Sequence, residues 1–126
     1  MSKIYNILLN KQKIGATAFE KADAPMGVVF GEIIFNDDIK SGYAFFKDYC
    51  SKNRIKCTDL KEDKIILLHD IPGLSIVNPG GRLIKGEACS ISATDTDGSE
   101  IYLEGIPEKQ YEEEFPHHVK EYRGQQ

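Results

Sequence analysis

The sequence predicts an α+β fold: a largely antiparallel sheet of six to eight strands, one amphipathic helix packed on it, and a short helical C-terminal tail. Three observations carry that expectation. Short β-branched runs recur with turn residues between them. Only one stretch, after Ser41, repeats apolar residues clearly at helical spacing. No long polar interruption separates the runs, so residues 1–126 are expected to form one domain.

The elements follow in order. Lys3 to Leu9 is rich in β-branched and aliphatic residues, and the polar turn Asn10-Lys11-Gln12-Lys13 leads into Ile14 to Glu20, which together read as a hairpin. After the Ala24-Pro25-Met26-Gly27 break, GVVFGEIIF runs to Phe35 with apolar residues at both parities. Such a run suits a central strand covered on both faces. Ser41 is placed to cap a helix whose Phe46, Tyr49 and Cys50 recur at i, i+3 and i+4, with Phe45 widening the stripe and Asn53 able to stop it. Lys52 and Arg54 lie where the negative end of the helix dipole favours positive charge.

Lys64 to His69 and Leu74 to Val77 read as short strands, and Asn78-Pro79-Gly80-Gly81 turns the chain into Arg82 to Lys85. Strict alternation then puts Cys89, Ile91 and Ala93 on one face and Ser90, Ser92 and Thr94 on the other. Beyond the Asp97-Gly98 turn, Ile101 and Leu103 point inward while Glu100, Tyr102 and Glu104 point outward. Glu108 to Glu114 forms one or two helical turns, and Pro116 can open another as its first residue.

The composition is that of an ordinary folded protein, with 40% hydrophobic and 29% charged residues. The N-terminal apolar run ends at Leu9, short of a signal-peptide core, and no segment reaches membrane-spanning length. A cytoplasmic location without membrane association is therefore expected. Cys50, Cys57 and Cys89 form neither a disulfide framework nor a C-x-x-C pair, and are expected reduced and buried. The net charge of −4 is uneven: residues 1–60 carry +2 and residues 61–126 carry −6. That sign opposes phosphate-backbone binding, so nucleic acid is not an expected partner, whereas a basic protein is.

The densest cluster of chemistry is EEEFPHHVKEY, Glu112 to Tyr122. A helical metal or acid–base pair needs i,i+4 spacing, whereas His117 and His118 are adjacent and diverge by about 100°. A turn opened by Pro116 would set His117 beside Glu121 and His118 beside Tyr122. No metal or other cofactor is expected, and no catalytic residue is assigned. Glu104, Tyr111, Glu112, Glu113, Glu114, His117, His118 and Tyr122 are instead expected to form a partner-binding surface, where aromatic groups anchor and carboxylates steer.

Other motifs have plain structural readings. Asp95-Thr96-Asp97-Gly98 opens like a calcium loop but has Ile106 where the bidentate glutamate belongs, so it reads as a hairpin turn. Asn78 to Arg82 lacks a phosphate-loop pattern and also reads as a turn. His69 and Asp70 lie on opposite faces of a strand and cannot address one another. The function this pattern favours is a small protein-binding module, of inhibitor or immunity type, that presents acid to a basic partner. The alternatives are a small acid–base or metal-assisted enzyme using His117 or His118 with a glutamate, and a small-ligand or structural domain.

Overall fold

A computed structural model describes residues 3–124 and shows an α+β fold dominated by a nine-stranded antiparallel sheet. The strands are β1 (Tyr5–Leu9), β2 (Gln12–Thr17), β3 (Lys21–Asp23), β4 (Val28–Phe35), β5 (Thr58–Leu60), β6 (Ile65–His69), β7 (Leu74–Val77), β8 (Ala88–Thr94) and β9 (Ser99–Glu104). The helices are α1 (Gly42–Asn53), α2 (Glu108–Glu114) and α3 (Pro116–Gly124), and a 3-10 turn spans Ala24–Met26. Strand order is β5-β6-β8-β9-β4-β2-β1-β7, with β3 against β4, so among the described residues the path is open at β5 and β7 and does not close into a barrel.

β4 is the central element, as its sequence suggests. Val29–Ile33 pair with β9 on one edge, while Ile34 and Phe35 pair with β2 and Val28–Phe30 with β3 on the other. The expected second strand is thus split. Phe19 takes a positive φ of 45°, which breaks the extended run between β2 and β3 and turns its ring into the core. Gly31 lets this crossing close up, since a Cβ there would lie 2.7 Å from the Thr17 hydroxyl oxygen. The outer face of β4 is not covered. Ile34 is 64% exposed, so the two-sided apolar pattern of GVVFGEIIF overstates its burial.

Three further differences are local. Asn10 and Lys11 alone make the first hairpin turn, both with positive φ. Arg82 to Lys85 forms no strand; only Leu83 bridges Val77. β5 and β3 are three-residue strands, each with a single apolar residue, too short to show alternation.

One connected core lies on the covered face, from Ile7 and Ile76 through Val29 and Ile101 to Ile66 and Ile91. Two roofs close it. α1 begins at Ser41, whose hydroxyl accepts the Ala44 N–H at 3.1 Å, and lays Tyr43, Phe46 and Cys50 over β6 and β8. α2 and α3 close the other end through Tyr111 and Phe115. The Phe115 ring sits 5.4 Å from Tyr5 and 6.0 Å from Phe19, in the offset and edge geometries that aromatic pairs favour.

Candidate functional site

The segment Glu112 to Tyr122 does two things at once. Its inward side chains fasten the tail, and its outward ones rim two clefts. Helical spacing decides the division, since Tyr111, Glu114, Phe115 and His118 share one side of the broken helix pair and are all buried.

Glu114, only 5% exposed, is held from three directions. The Asn78 side-chain amide donates to Oε1 at 2.7 Å, the Tyr5 hydroxyl donates to Oε2 at 3.3 Å, and Lys3 Nζ stands 3.8 Å from Oε2. The Tyr5 hydroxyl and Lys3 Nζ also reach the Glu114 backbone carbonyl, each at 3.3 Å. A carboxylate can be buried only when its lone pairs are met in this way. Burial, reinforced by the charge of Glu114, holds the Tyr5 phenol above its usual pKa.

His118, also 5% exposed, places Nε2 2.7 Å from the Phe19 carbonyl, so Nε2 carries the hydrogen and donates it. Its Nδ1 faces Glu121 at 3.9 Å. The close imidazole–carboxylate contact is therefore His118 with Glu121 at i,i+3, while Glu121 also acts through its charge on His117, its expected i,i+4 neighbour. His117 is exposed and lies 4.0 Å from the His118 ring, centroid to centroid. Partial desolvation and then the neighbouring His118 lower its pKa. Tyr111 is buried with its hydroxyl donating to the Val28 carbonyl at 3.0 Å, and burial pushes its pKa to about 12. Tyr111, Glu114 and His118 are thus occupied by internal partners, and only edges of Tyr111 and His118 reach the cleft walls.

The remaining expected residues face outward. Glu112 pairs with Arg123 at 3.5 Å, Glu113 takes a 3.0 Å bond from Arg82, and Glu104 is exposed at the end of β9. Tyr122 is 39% exposed and lines two clefts that flank the Ala24–Met26 turn. One, of about 420 Å³, runs between the turn and the helices over Ile106, Tyr111 and Val119. Glu108 and Glu112 border it against Arg123. The other, of about 640 Å³, runs along β3 past the Phe30 ring; Glu20, Asp23 and Glu121 border it against Lys21. Acids outnumber bases in both. Met26, 69% exposed, projects at the rim of the first.

Met26, Glu20, Asp23 and Phe30 escaped sequence reasoning because they lie about ninety residues from the tail they adjoin. The one available signal was a large apolar side chain between Pro25 and Gly27, in a turn that has no core to enter. The turn readings of the other motifs hold. Asn78 N donates to Arg82 O at 2.9 Å, closing that loop, and Thr94 Oγ1 bonds the Asp97 carbonyl in the β8–β9 turn. Asp70 is a clamp: its backbone N–H donates to the Cys89 carbonyl and its carboxylate accepts the Cys89 N–H, both at 2.8 Å.

Cys50 is buried, Cys89 is half-buried and Cys57 is exposed, so the expectation that all three are buried holds fully for Cys50 alone. All three are free thiols. Among the described residues no three His, Cys, Asp or Glu side chains converge as metal ligands, and no helix is long and apolar enough to cross a membrane. Neither a protein-family model, nor a curated protein, nor a solved structure matches the chain.

Proposed function

We propose that the protein is a small cytoplasmic protein-binding module, of inhibitor or immunity type, that receives a basic, amphipathic protein segment across the Ala24–Met26 turn and α3. The observation that carries this reading is the pairing of exposed Met26 and Tyr122 with clefts in which carboxylates outnumber cations. Apolar anchors of this kind supply affinity, while surrounding charge sets the encounter rate and rejects partners of the wrong sign. The same charge is unfavourable to a nucleic-acid backbone. Within the expected tail surface, Glu112 and Tyr122 take the leading roles. Glu104, Glu113 and His117 are peripheral, because they lie outside both clefts.

The test is an NMR titration of the labelled protein with a short peptide of alternating Arg and Leu, run at low and at high salt. Amide shifts are expected to cluster at Ala24–Gly27 and Val119–Arg123, to weaken with salt, and to vanish in Met26→Glu and in Glu112→Lys/Glu121→Lys. A peptide with Glu in place of Arg should leave the spectrum unchanged. Shifts centred on another face, or undiminished in both variants, would exclude this surface.

A further inference from the structure

The end of α1 and the segment that follows it bring two of the cysteines into the same neighbourhood. Arg54 adopts a left-handed φ of 54°, and its N–H and that of Ile55 both bond the Cys50 carbonyl, the latter at 2.9 Å. This reverses the chain, which then runs back along the helix. Asp59 fixes the alignment: its Oδ1 accepts the Tyr43 hydroxyl at 2.6 Å and its Oδ2 lies 3.6 Å from Lys47 Nζ.

Tyr43, Lys47 and Cys50 stand at i, i+4 and i+7, a single stripe of the helix. Cys57 precedes Asp59 by two residues and so projects from the same side of the extended chain. Two strand residues advance about 6.6 Å. The helix rises about 7.5 Å from the midpoint of residues 43 and 47 to residue 50. Cys57 therefore arrives level with Cys50. In agreement, burial first and the Cys57 sulfur second push the Cys50 thiol to about 11.

We propose that Cys50 and Cys57 are a redox-modifiable pair, in which exposed Cys57 reacts with a hydroperoxide and buried Cys50 resolves the product into an intramolecular disulfide. In the first step the Cys57 sulfur attacks the peroxide. The O–O bond breaks, water or an alcohol leaves, and a sulfenic acid remains. In the second step the Cys50 sulfur attacks the Cys57 sulfur, an S–S bond replaces the S–O bond, and the departing hydroxide takes the Cys50 proton as water. Two thiols thus give two electrons to one peroxide. The bond would pin the end of α1 to the segment leading into β5, an edge strand of the sheet. Cys89 serves as an internal reference, because burial and then the charge of Asp70 push its thiol to about 12.

Full-length protein treated with stoichiometric hydrogen peroxide, alkylated and digested should yield a peptide in which residues 50 and 57 are joined with the loss of two hydrogens. The denatured thiol count should fall from three to one, and dithiothreitol should restore it. In Cys57→Ser, a near-isosteric change at an exposed position, Cys50 should remain fully alkylatable after the same treatment. Sulfinic acid at Cys57 beside a free Cys50 thiol would overturn the proposal. So would a Cys57–Cys57 bridge between molecules.

Discussion

The two roofs of the sheet are built on different terms. α1 uses an apolar stripe, a serine cap and an exposed polar face, with Tyr43, Phe46 and Cys50 inward and Lys52 pairing with Asp48 at 3.0 Å on the outside. α2 and α3 instead bury a carboxylate and an imidazole alongside Tyr111 and Phe115. Hydrophobic covering is non-directional and tolerates small shifts. Hydrogen-bonded covering does not, because an unmet buried polar group costs about 1–3 kcal/mol. The tail is therefore the roof whose register depends on buried polar groups, whereas the polar contacts of α1, Ser41 with Asp95 and Tyr43 with Asp59, lie at its partly exposed edges.

The sharpest way to break the comparison is to remove the aromatic centre of each roof. Phe46 and Phe115 are both fully buried, so Phe46→Ala and Phe115→Ala should each destabilise by about 3–5 kcal/mol in urea unfolding. The consequences should differ in place. Phe115→Ala should also loosen Tyr5 and Phe19, the rings it touches, and raise amide exchange in α3. A loss below about 1 kcal/mol at Phe115 would mean that the tail is only lightly docked and the polar contacts carry it.

A smaller effect separates polar from apolar fastening. Glu114→Leu keeps the volume but leaves the Asn78 amide without its acceptor, and should cost about 1–3 kcal/mol. Glu114→Gln, which retains an oxygen for Asn78, should cost less. On the other roof one comparable polar group is Ser41, whose hydroxyl caps α1 and donates to Asp95 at 2.7 Å, and Ser41→Ala should cost about 1 kcal/mol. If Glu114→Leu proved neutral or stabilising, the buried carboxylate would be dispensable and the two roofs would be of one kind.

The same difference explains what could be read in advance. α1, its cap and the β8–β9 hairpin were legible because their determinants lie within a few residues: Ser41 three before Ala44, and Ile91 and Ala93 two apart. The inward side of the tail was not. Glu114 is met by Tyr5 and Asn78, and His118 by Phe19, all at long sequence separation, so the spacing within EEEFPHHVKEY could show which residues share a side but not which side is in. The acidic surface was half legible for the same reason. Glu112 and Tyr122 stand in the tail, whereas Met26, Asp23 and Glu20 come from a turn, a short strand and the residue before it, which only the fold brings beside the tail. β3 and β5 were missed because three residues with a single apolar side chain give no period.

The smallest expected effect tests the outer edge of the tail by pH. His117 has a pKa below 6.5 in the folded protein, because partial burial and His118, aided by Lys3, outweigh the attraction of Glu121. Between that lowered value and 6.5 the unfolded chain binds more protons at this site than the folded one. Stability there must rise with pH, being full above 6.5 and declining as the pH falls toward the folded pKa. The imidazole titration of His117 by NMR should have its midpoint below 6.5, and His117→Gln should flatten the dependence of unfolding free energy on pH in that window. α1 contains no histidine, so its amide exchange should not respond locally to the same pH change, while that of α3 should. A His117 midpoint at or above 6.5 would place its ring in open solvent beside a dominant Glu121, and would detach the first turn of α3 from the packing that otherwise sets it apart from α1.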